Sequence, residues 1–426
     1  MISINPLLGA YSSAWILAFY LYKRNNSMYT LGGVILLFYT ILSVASIIAF
    51  SDKSAYLVFK RELTAFPLFY LIALLLLSFW PILSLKEKKL QFIEIPSNQI
   101  ANVVCIFFSV FSLIYIIDIL QDIQNGFFIM QLDNSDITQL YDDAKEIRMA
   151  SKTRSAFTNY VGVFGNIGAF INPLLFYTYL LYDKRNKFVL ILLGLALLQE
   201  PFRGIAQANR LYLVTNILLM FFMFFFFKPF LSFEIRKRIM RIGIIVASFF
   251  LLVLSVITVA RVLEKNETSI LFNVTRYMGE SPIVFDQYCL NANGTRDGYS
   301  VGPLLHLLVG DKVLTEKEIR SKYSSLGIDN SRFYTYIGDF VLDYGPISTV
   351  IIMIILTLIF RSYLDHNQGL GYGQVILVYV LTKAYTGYYL YVYNTLSGNI
   401  FLVVAFIFCL LFSLKVFPTI RINKNL

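Results

Sequence analysis

The sequence is poor in charged residues, which make up 15% of its 426 positions. A soluble domain usually carries about a quarter charged residues, so this deficit argues against a soluble globular protein. Cysteine is also scarce: Cys105, Cys289 and Cys409 are scattered and form neither a disulfide framework nor a metal-ligand spacing. The two histidines, His306 and His366, lie too far apart for a His-rich metal site. These counts exclude a His-rich metal site but not a carboxylate site; the sequence shows no convincing set of metal ligands, and we expect no metal ion and no cofactor.

What the sequence does contain is long apolar blocks, and hydrophobic residue types make up 57% of it. The blocks are long enough, or nearly so, to cross a hydrocarbon core of about 30 Å as helices. We therefore predict an all-α, polytopic membrane protein, in which residues 1–426 form a single integral membrane domain with about eleven transmembrane helices. The predicted spans cover residues 6–22, 29–50, 66–85, 100–120, 157–182, 188–204, 211–230, 242–260, 337–361, 373–392 and 396–414.

The orientation of these spans is predicted from the charges in the loops that connect them. Seventeen lysines and arginines fall in the short segments on one side, against five in the short loops on the other. Short basic loops stay in the cytoplasm, so we predict that the chain begins outside and ends inside. Topology then explains the net charge of +10, and no nucleic-acid partner is expected. Two long loops, residues 121–156 and 261–336, fall on the outer side.

The two long outer loops carry local signals. In the first, apolar residues between 137 and 147 recur at helical spacing, which predicts an amphipathic helix resting on the membrane or on the other loop. In the second, Pro303 suits a first helical position and precedes a leucine-rich run that is too short to span, a candidate half-helix dipping into the interface. Thr315 and Glu318 have the spacing of a capping box, and Gly327 is placed to end the polar helix that follows. Ordered outer loops of this size predict that the protein acts on a substrate outside the membrane.

Arginines near the outer ends of the predicted spans are candidate anion ligands. Arg203 and Arg210 flank a short outer hairpin, and Arg261 and Arg276 open the large loop. Ionisable groups near headgroup depth are costly and usually face a polar cavity, and a guanidinium suits bidentate binding of phosphate. The alternative for these arginines is snorkelling to lipid phosphate.

Two carboxylates lie where the chain leaves the large loop for the next predicted span. Asp339 and Asp343 are four residues apart, which places them on one face of a helix just inside the outer surface. A partly desolvated carboxylate has a raised pKa and is a plausible base. Alternatively, Asp339 anchors the loop by hydrogen bonds or pairs with an arginine.

The arginine hairpin, the large outer loop and the segment Tyr334-Thr-Tyr-Ile-Gly-Asp-Phe-Val-Leu-Asp-Tyr-Gly345 together resemble the oligosaccharide repeat-unit polymerases of the Wzy type, which are related to the O-antigen ligases. The resemblance covers the layout of the whole chain, and in motif it rests on residues 200–211 and 330–348. It implies a GT-C-like glycosyltransferase of the bacterial inner membrane. Such an enzyme extends glycan chains on undecaprenyl diphosphate at the periplasmic face and makes O-antigen or a similar surface polysaccharide. The implied partners are the lipid-linked oligosaccharide, membrane lipid and a chain-length regulator protein.

The implied chemistry needs an anion site and a base. Breaking the anomeric C–O bond of the donor releases a lipid diphosphate, so fixed arginines stabilise the charge that develops on the leaving oxygen. The acceptor hydroxyl needs a base within hydrogen-bonding reach. The predicted diphosphate ligands are Arg203, Arg210, Arg261 and Arg276. The candidate catalytic residues, any of which could be the base, are Asp339, Glu280 and His306. The predicted glycan contacts are Tyr334, Tyr336 and Asp343.

One departure separates this chain from the ligases. They carry a catalytic histidine at the start of the segment that ends in the glycine, and counting back from Gly345, this sequence has Tyr334 there. His306 lies too far upstream to fill that position, which favours a polymerase over a ligase-like transferase and leaves the base open. The alternatives from other classes are a flippase or exporter of the lipid-linked glycan and a purely structural membrane subunit. A flippase should carry charges along a path through many spans, whereas here the charge is concentrated outside.

Overall fold

The computed structural model describes residues 5–59, 62–120, 122–123, 156–206, 210–265, 270–328, 332–365 and 368–424. Within these ranges the chain is mostly helical, as predicted; the predicted amphipathic helix at 137–147 lies outside them. The helices are α1 Pro6–Asn25, α2 Leu31–Ser51, α3 Ala65–Leu83, α4 Asn98–Asp118, α5 Ala156–Tyr179, α6 Lys187–Ala196, α7 Gln199–Ala206, α8 Arg210–Phe227, α9 Phe233–Lys265, α10 Ile270–Val284, α11 Pro303–Leu308, α12 Glu316–Lys322, α13 Thr335–Tyr344, α14 Pro346–Leu364, α15 Tyr372–Tyr385 and α16 Leu396–Ser413.

Seven helical segments in the described part of the chain are long and apolar enough to cross a membrane, which indicates a membrane protein. They are Leu31–Ser51, Ala65–Leu83, Asn98–Asp118, Lys187–Ala206, Tyr212–Phe230, Pro346–Leu364 and Leu396–Ser413. At 1.5 Å per residue, their lengths correspond to roughly 27–32 Å. The other four predicted spans overlap α1, α5, α9 and α15, so the count of eleven stays a prediction.

Two predicted span boundaries differ from the structure. The predicted span 337–361 is two helices, because Gly345 adopts a φ of +80° and Pro346 then begins α14. A positive φ suits glycine, and proline at a first helical position favours a new helix start. The predicted span 373–392 is helical only to Tyr385, since α15 has 14 residues and reaches about 21 Å.

The predicted large loop keeps its local signals in the structure, although α9 extends to Lys265 and so covers its first residues. Pro303 begins α11, as predicted. Thr315 caps α12, and both hydrogen bonds of the capping box with Glu318 are present. Gly327 has a φ of +72° and ends the short 3-10 turn that follows α12. These local predictions are confirmed.

A three-stranded sheet departs from the predicted all-α class. Its central strand β1, Phe92–Pro96, pairs in parallel with β2, Gly369–Leu370, and antiparallel with β3, Thr419–Asn423. Side chains alternate between the two faces of a strand, and Ile93 and Ile95 are both fully buried on one face. The central strand is only five residues long and its partners are distant in sequence, so periodicity alone does not reveal it.

The described residues form two compact units. The first comprises Met1–Leu90, Asn266–Asn367 and Val380–Leu402. The second comprises Gln91–Lys265, Gln368–Tyr379 and Val403–Leu426. In the first unit α10 and α1 pack against α2, and α14 packs against α3. In the second unit α4 packs against α5 and α6, and α7 packs against α8.

A close helix crossing in the first unit lies at Gly279 on α10. A Cβ placed on Gly279 would be 2.2 Å from the backbone nitrogen of Ser46 and 2.5 Å from the carbonyl carbon of Ala45, both on α2. Backbone atoms of a packed helix cannot move aside as a flexible side chain does, so only glycine fits. Gly279 directly precedes Glu280, and the crossing therefore also fixes the position of that side chain.

Gly279→Ala is expected to lower the thermal unfolding midpoint of the purified protein in detergent. Forcing extra atoms into a packed crossing typically costs about 1–3 kcal/mol. The control is Gly194→Ala on α6, where nothing lies within 4 Å of an added Cβ. Alanine is favoured over glycine inside a helix by about 1 kcal/mol, so this variant should keep or raise the midpoint. Equal midpoints for the two variants would contradict the close crossing.

Candidate functional site

A buried glutamate next to two arginines forms a cluster on one side of α10 in the first unit. The side chain of Glu280 is 1% exposed. Its Oε2 atom accepts a hydrogen bond from Arg276 Nε at 2.9 Å, one helical turn earlier, and lies 4.0 Å from Nη1 of Arg332. The side chains of Arg276 and Arg332 are part-exposed, at 25% and 18%. Since the arginines outnumber the carboxylate, this Arg276–Glu280–Arg332 cluster is net positive.

Aromatic rings lie next to the cluster. The Ser281 hydroxyl, beside Glu280 in sequence, donates to the backbone oxygen of Tyr388 at 2.8 Å. The rings of Tyr388 and Tyr389 have centroids 3.8 Å apart, and the ring of Phe333 lies 4.8 Å from that of Tyr389. Tyr388 and Tyr389 are buried, whereas Phe333 is partly exposed. Rigid aromatic faces of this kind can pack against the apolar side of a sugar ring.

The chain enters α13 through a strained residue. Thr335 has a φ of +71°, in the left-handed region that β-branched residues rarely adopt. Its N–H donates to the backbone oxygen of Tyr389 at 2.9 Å, and the N–H of Tyr336 donates to that of Gly387 at 3.2 Å. Strain of about 1–3 kcal/mol persists only where surrounding contacts over-determine the backbone, and it clusters at functional sites. Here the hydrogen bonds hold the start of α13 against the segment that carries the tyrosine pair.

A second charge cluster, which we call the Arg296 clamp, joins Arg296 to Asp339 and Asp343. Arg296 Nε donates to Asp343 Oδ1 at 2.8 Å, and Arg296 Nη2 donates to Asp339 Oδ1 at 3.1 Å. The three side chains are 5%, 10% and 0% exposed, respectively, so the clamp is buried. It connects the large loop to α13.

The remaining carboxylate oxygens of the clamp bind backbone groups. Asp343 Oδ2 accepts from the N–H groups of Ser300 and Val301, at 2.9 and 2.6 Å. Asp339 Oδ2 accepts from the N–H of Tyr391 at 2.7 Å. Each of the four oxygens therefore has a partner, and the geometry corresponds to the anchoring alternative considered for Asp339.

Burial dominates the acid–base properties of the clamp. Burial raises the pKa of Asp343 to about 6, while Arg296 and the Val301 N–H act in the opposite direction. Burial likewise raises the pKa of Asp339, again opposed by Arg296. For Arg296, burial lowers the pKa but the two carboxylates outweigh it, so the pKa rises.

His306 is held inside the large loop by both ring nitrogens. Nε2 lies 2.9 Å from the backbone oxygen of Asp297, and Nδ1 lies 3.1 Å from Oδ2 of Asp311. Its ring also stacks on Tyr299, with centroids 3.7 Å apart. Both ring nitrogens thus lie within hydrogen-bonding distance of oxygen atoms inside the loop. A base needs a nitrogen facing its substrate, and in this arrangement both are already used.

The residues predicted to contact a glycan lie in the interior. Tyr334 and Tyr336 are 4% and 3% exposed. The hydroxyl of Tyr336 hydrogen-bonds to that of Ser78, and Asp343 belongs to the Arg296 clamp. The structure therefore uses these side chains in packing and internal hydrogen bonding.

In the second unit, Arg203 lies on the short helix α7 beside an acidic residue. Its Nη1 atom is 3.6 Å from Oε1 of Glu200, and its guanidinium carbon lies 4.9 Å from the centre of the Tyr212 ring. The side chains of Arg203 and Glu200 are each 11% exposed. Arg210 begins α8 and Arg261 lies on α9, and their side chains are outside what the structure describes.

Two arginines of these clusters are absent from the predicted site residues. Arg332 lies two residues before Tyr334, inside the segment that carries the family resemblance. That position is the sequence feature that could have identified it as a site residue. Arg296 lies between the turn glycines Gly294 and Gly298, both with positive φ. Nothing local marks it as the partner of aspartates 43 and 47 residues away.

Among the residues that the structure describes, no group of three or more His, Cys, Asp or Glu side chains is placed to hold a metal ion. No protein-family model, curated protein or solved structure matches this chain. The two charge clusters of the first unit are therefore interpreted from their own geometry.

Arg296→Ala is expected to lower the thermal unfolding midpoint in detergent strongly, because it leaves Asp339 and Asp343 buried without a counter-charge. Breaking a buried ion pair from one side typically costs about 3–5 kcal/mol. Lys312→Ala is the control, since Lys312 pairs with Glu318 at the surface and its side chain is 73% exposed. Exposed pairs contribute little to stability, so this midpoint should not change measurably. Similar midpoints for both variants would show that the clamp does not support the fold.

Proposed function

We propose that the protein is an oligosaccharide repeat-unit polymerase of the Wzy type. It transfers a growing glycan from one undecaprenyl diphosphate carrier to the repeat unit on another, at the periplasmic face of the bacterial inner membrane. The observation that supports this best is the Arg276–Glu280–Arg332 cluster, in which arginines suited to a diphosphate lie against a carboxylate suited to proton transfer. The resemblance of residues 200–211 and 330–348 to that family adds to it.

The arginines supply the anion site in this proposal. A guanidinium has five N–H donors in a rigid fork, and Arg276 gives one of them to Glu280 at 2.9 Å. The part-exposed Arg276 side chain can therefore also offer donors to phosphate oxygens. Arg332 adds a second positive charge within 4.0 Å of the same carboxylate oxygen. Arg276 and Arg332 thus supply two guanidinium groups for the donor diphosphate, which carries about two negative charges before the bond breaks.

The transfer step has a simple balance of bonds. The acceptor hydroxyl oxygen forms a bond to the anomeric carbon of the donor sugar, and the bond from that carbon to the diphosphate oxygen breaks. The electron pair of the broken bond stays on the diphosphate, where Arg276 and Arg332 stabilise the developing charge. The proton of the acceptor hydroxyl goes to the base.

Glu280 is the base in this proposal because its carboxylate lies next to both arginines, whereas Asp339 and His306 hold the large loop in place. Both oxygens of Asp339 are hydrogen-bonded within the Arg296 clamp, and both ring nitrogens of His306 are hydrogen-bonded inside the loop. Glu280 Oε2 is bound to Arg276 in the structure. A diphosphate that draws Arg276 away removes this hydrogen bond, so that Oε2 can take the proton of the acceptor hydroxyl while Arg332 stays nearby.

The glycan contacts in this proposal come from Tyr277 and Phe333. Both are partly exposed, Tyr277 follows Arg276 on α10, and the ring of Phe333 is supported by that of Tyr389. They replace the buried Tyr334 and Tyr336 as the side chains that a sugar ring meets first.

Two alternative functions are tested by the same experiments. A ligase-like transferase would use the same anion site, and Tyr334 in place of the ligase histidine argues against it. A flippase would place charges along a path through the spans. The two charge clusters of the first unit lie outside the seven spanning segments and the Glu200–Arg203 pair lies inside one of them, a distribution that favours a transferase over charges placed along many spans.

Deletion of the gene is expected to leave lipid carriers, or surface lipid, that bear a single repeat unit. Gel separation of the surface polysaccharide measures the chain length. Unchanged long chains would refute the polymerase proposal. Repeat units that never reach the outer side would support the flippase, and long chains left on the undecaprenyl carrier would support the ligase.

Complementation of that deletion tests the roles of individual residues. Arg276→Lys keeps the charge but loses the planar fork, and we expect about a hundredfold loss of polymer formation. Glu280→Gln should lose a factor of about 10²–10⁴, as expected for a missing base. Arg361→Lys is the control, because Arg361 is exposed in the last turn of α14. Near-normal polymer from Glu280→Gln at normal membrane levels would remove Glu280 from the reaction.

The proposed orientation is tested by thiol labelling of intact cells. A cysteine at Asn293, in the large loop, should react with a membrane-impermeant reagent, whereas one at Asn186, the N-cap of α6, should react only after lysis. Both positions are exposed, and the native cysteines Cys105, Cys289 and Cys409 are buried, so the background is low. The reverse labelling pattern would overturn the orientation together with the periplasmic site.

A further inference from the structure

The end of helix α11 exposes a run of large apolar side chains. Leu305, Leu307, Leu308 and Val309 are 60%, 48%, 73% and 75% exposed. We call these four residues the apolar tip. Single exposed leucines are ordinary, but a contiguous exposed apolar patch marks a surface for a partner or a membrane.

The residues directly before the apolar tip are hydrogen-bonded to the start of a spanning helix. The N–H of Leu304 donates to Oδ1 of Asn399 at 3.3 Å. The Nδ2 atom of Asn399 donates to the backbone oxygen of Val301 at 3.1 Å. Asn399 lies in the first turn of the span Leu396–Ser413. The chain on which α11 begins is therefore at the level where that span starts.

A second attachment joins the same segment to the start of another span. The clamp residue Asp343 holds the N–H of Val301, and Gly302 packs so closely on Tyr344 that an added Cβ would be 3.1 Å from its hydroxyl. Tyr344 ends α13 two residues before Pro346, where the next span begins. Beyond it, α14 carries a stripe of exposed apolar side chains, of which Ile347 is the first, at 76% exposed.

We infer that the apolar tip docks into the lipid surface of the membrane, at the level where the spans Pro346–Leu364 and Leu396–Ser413 begin. Two attachments place its start there, and α14 presents exposed apolar side chains of its own from Ile347 onward. Apolar side chains of a short helix at this level are buried in the headgroup–acyl boundary, as in interfacial helices.

The polarity of the surrounding residues agrees with this placement. Gly310, with a φ of +88°, ends the apolar tip, and the exposed Asp311 and Lys312 follow at once. His306 faces back into the loop, where it bonds to Asp297 and Asp311. A polar turn therefore follows the apolar tip directly. Once docked, it holds the large loop, and with it the Arg296 clamp, on the membrane surface.

Spin labelling in lipid vesicles tests this inference. Nitroxide labels are attached to Leu308→Cys and, as the control, to Lys312→Cys, four residues on with a side chain that is 73% exposed. The proteins are placed in vesicles of phosphatidylethanolamine and phosphatidylglycerol. Collisions with oxygen and with a water-soluble nickel complex are then compared. The Leu308 label should favour oxygen, which concentrates in lipid, and the Lys312 label should favour nickel.

Each other outcome overturns the inference. A Leu308 label that favours nickel as strongly as the Lys312 label would place the tip in water. A label shielded from both reagents would mean that protein covers the tip. Val309→Cys labels a second tip position, which is 75% exposed. It repeats the measurement in case the Leu308→Cys variant does not fold. The buried native cysteines should leave the unsubstituted protein unlabelled. The measurement needs no substrate, so it is independent of the proposed enzymatic activity.

Discussion

Burial of Arg296 between Asp339 and Asp343 is the constraint on which the described part of the large loop depends. Three charges removed from water are tolerable only with good mutual geometry and with the remaining lone pairs satisfied. The backbone supplies that satisfaction through Ser300, Val301 and Tyr391. A clamp of this kind adds little net stability over apolar packing, but an incomplete one is costly. It therefore selects one arrangement of the loop against α13 and against the chain before α16.

The clamp and the Arg276–Glu280–Arg332 cluster divide the charged residues of the first unit into two kinds. Clamp carboxylates have every oxygen in use and face the interior, whereas the cluster has arginines that are partly exposed. The two are connected through the start of α13, where the strained Thr335 is bonded to the segment that carries Tyr389. An α13 held firmly at one end by the clamp can keep Arg332 near Glu280 at the other. The short helix α13 thus connects the buried Arg296 clamp to the partly exposed Arg276–Glu280–Arg332 cluster.

Sequence patterns predicted what is local and missed what is distant. Apolar blocks, the proline at the start of α11 and the Thr315–Glu318 capping box depend on neighbours within a turn or two, and they appear in the structure. The break at Gly345 coincides with a Gly-Pro dipeptide, a turn signal that the predicted span ran through, because hydropathy does not register a single positive φ. The sheet joins strands far apart in the chain, and the partner of Asp343 lies 47 residues before it. Such pairings are set by the whole fold, so no window of sequence contains them.

That separation also governs the order of events as the chain is made. Arg296 leaves the ribosome 43 and 47 residues before its two aspartates, a delay of about 2–9 seconds at about 5–20 residues per second. Asn399, which holds Val301, follows 98 residues after it. The large loop is therefore synthesised well before the groups that hold it in place. Throughout that interval Arg296 lacks both of its carboxylate partners, and the loop cannot yet adopt its final arrangement.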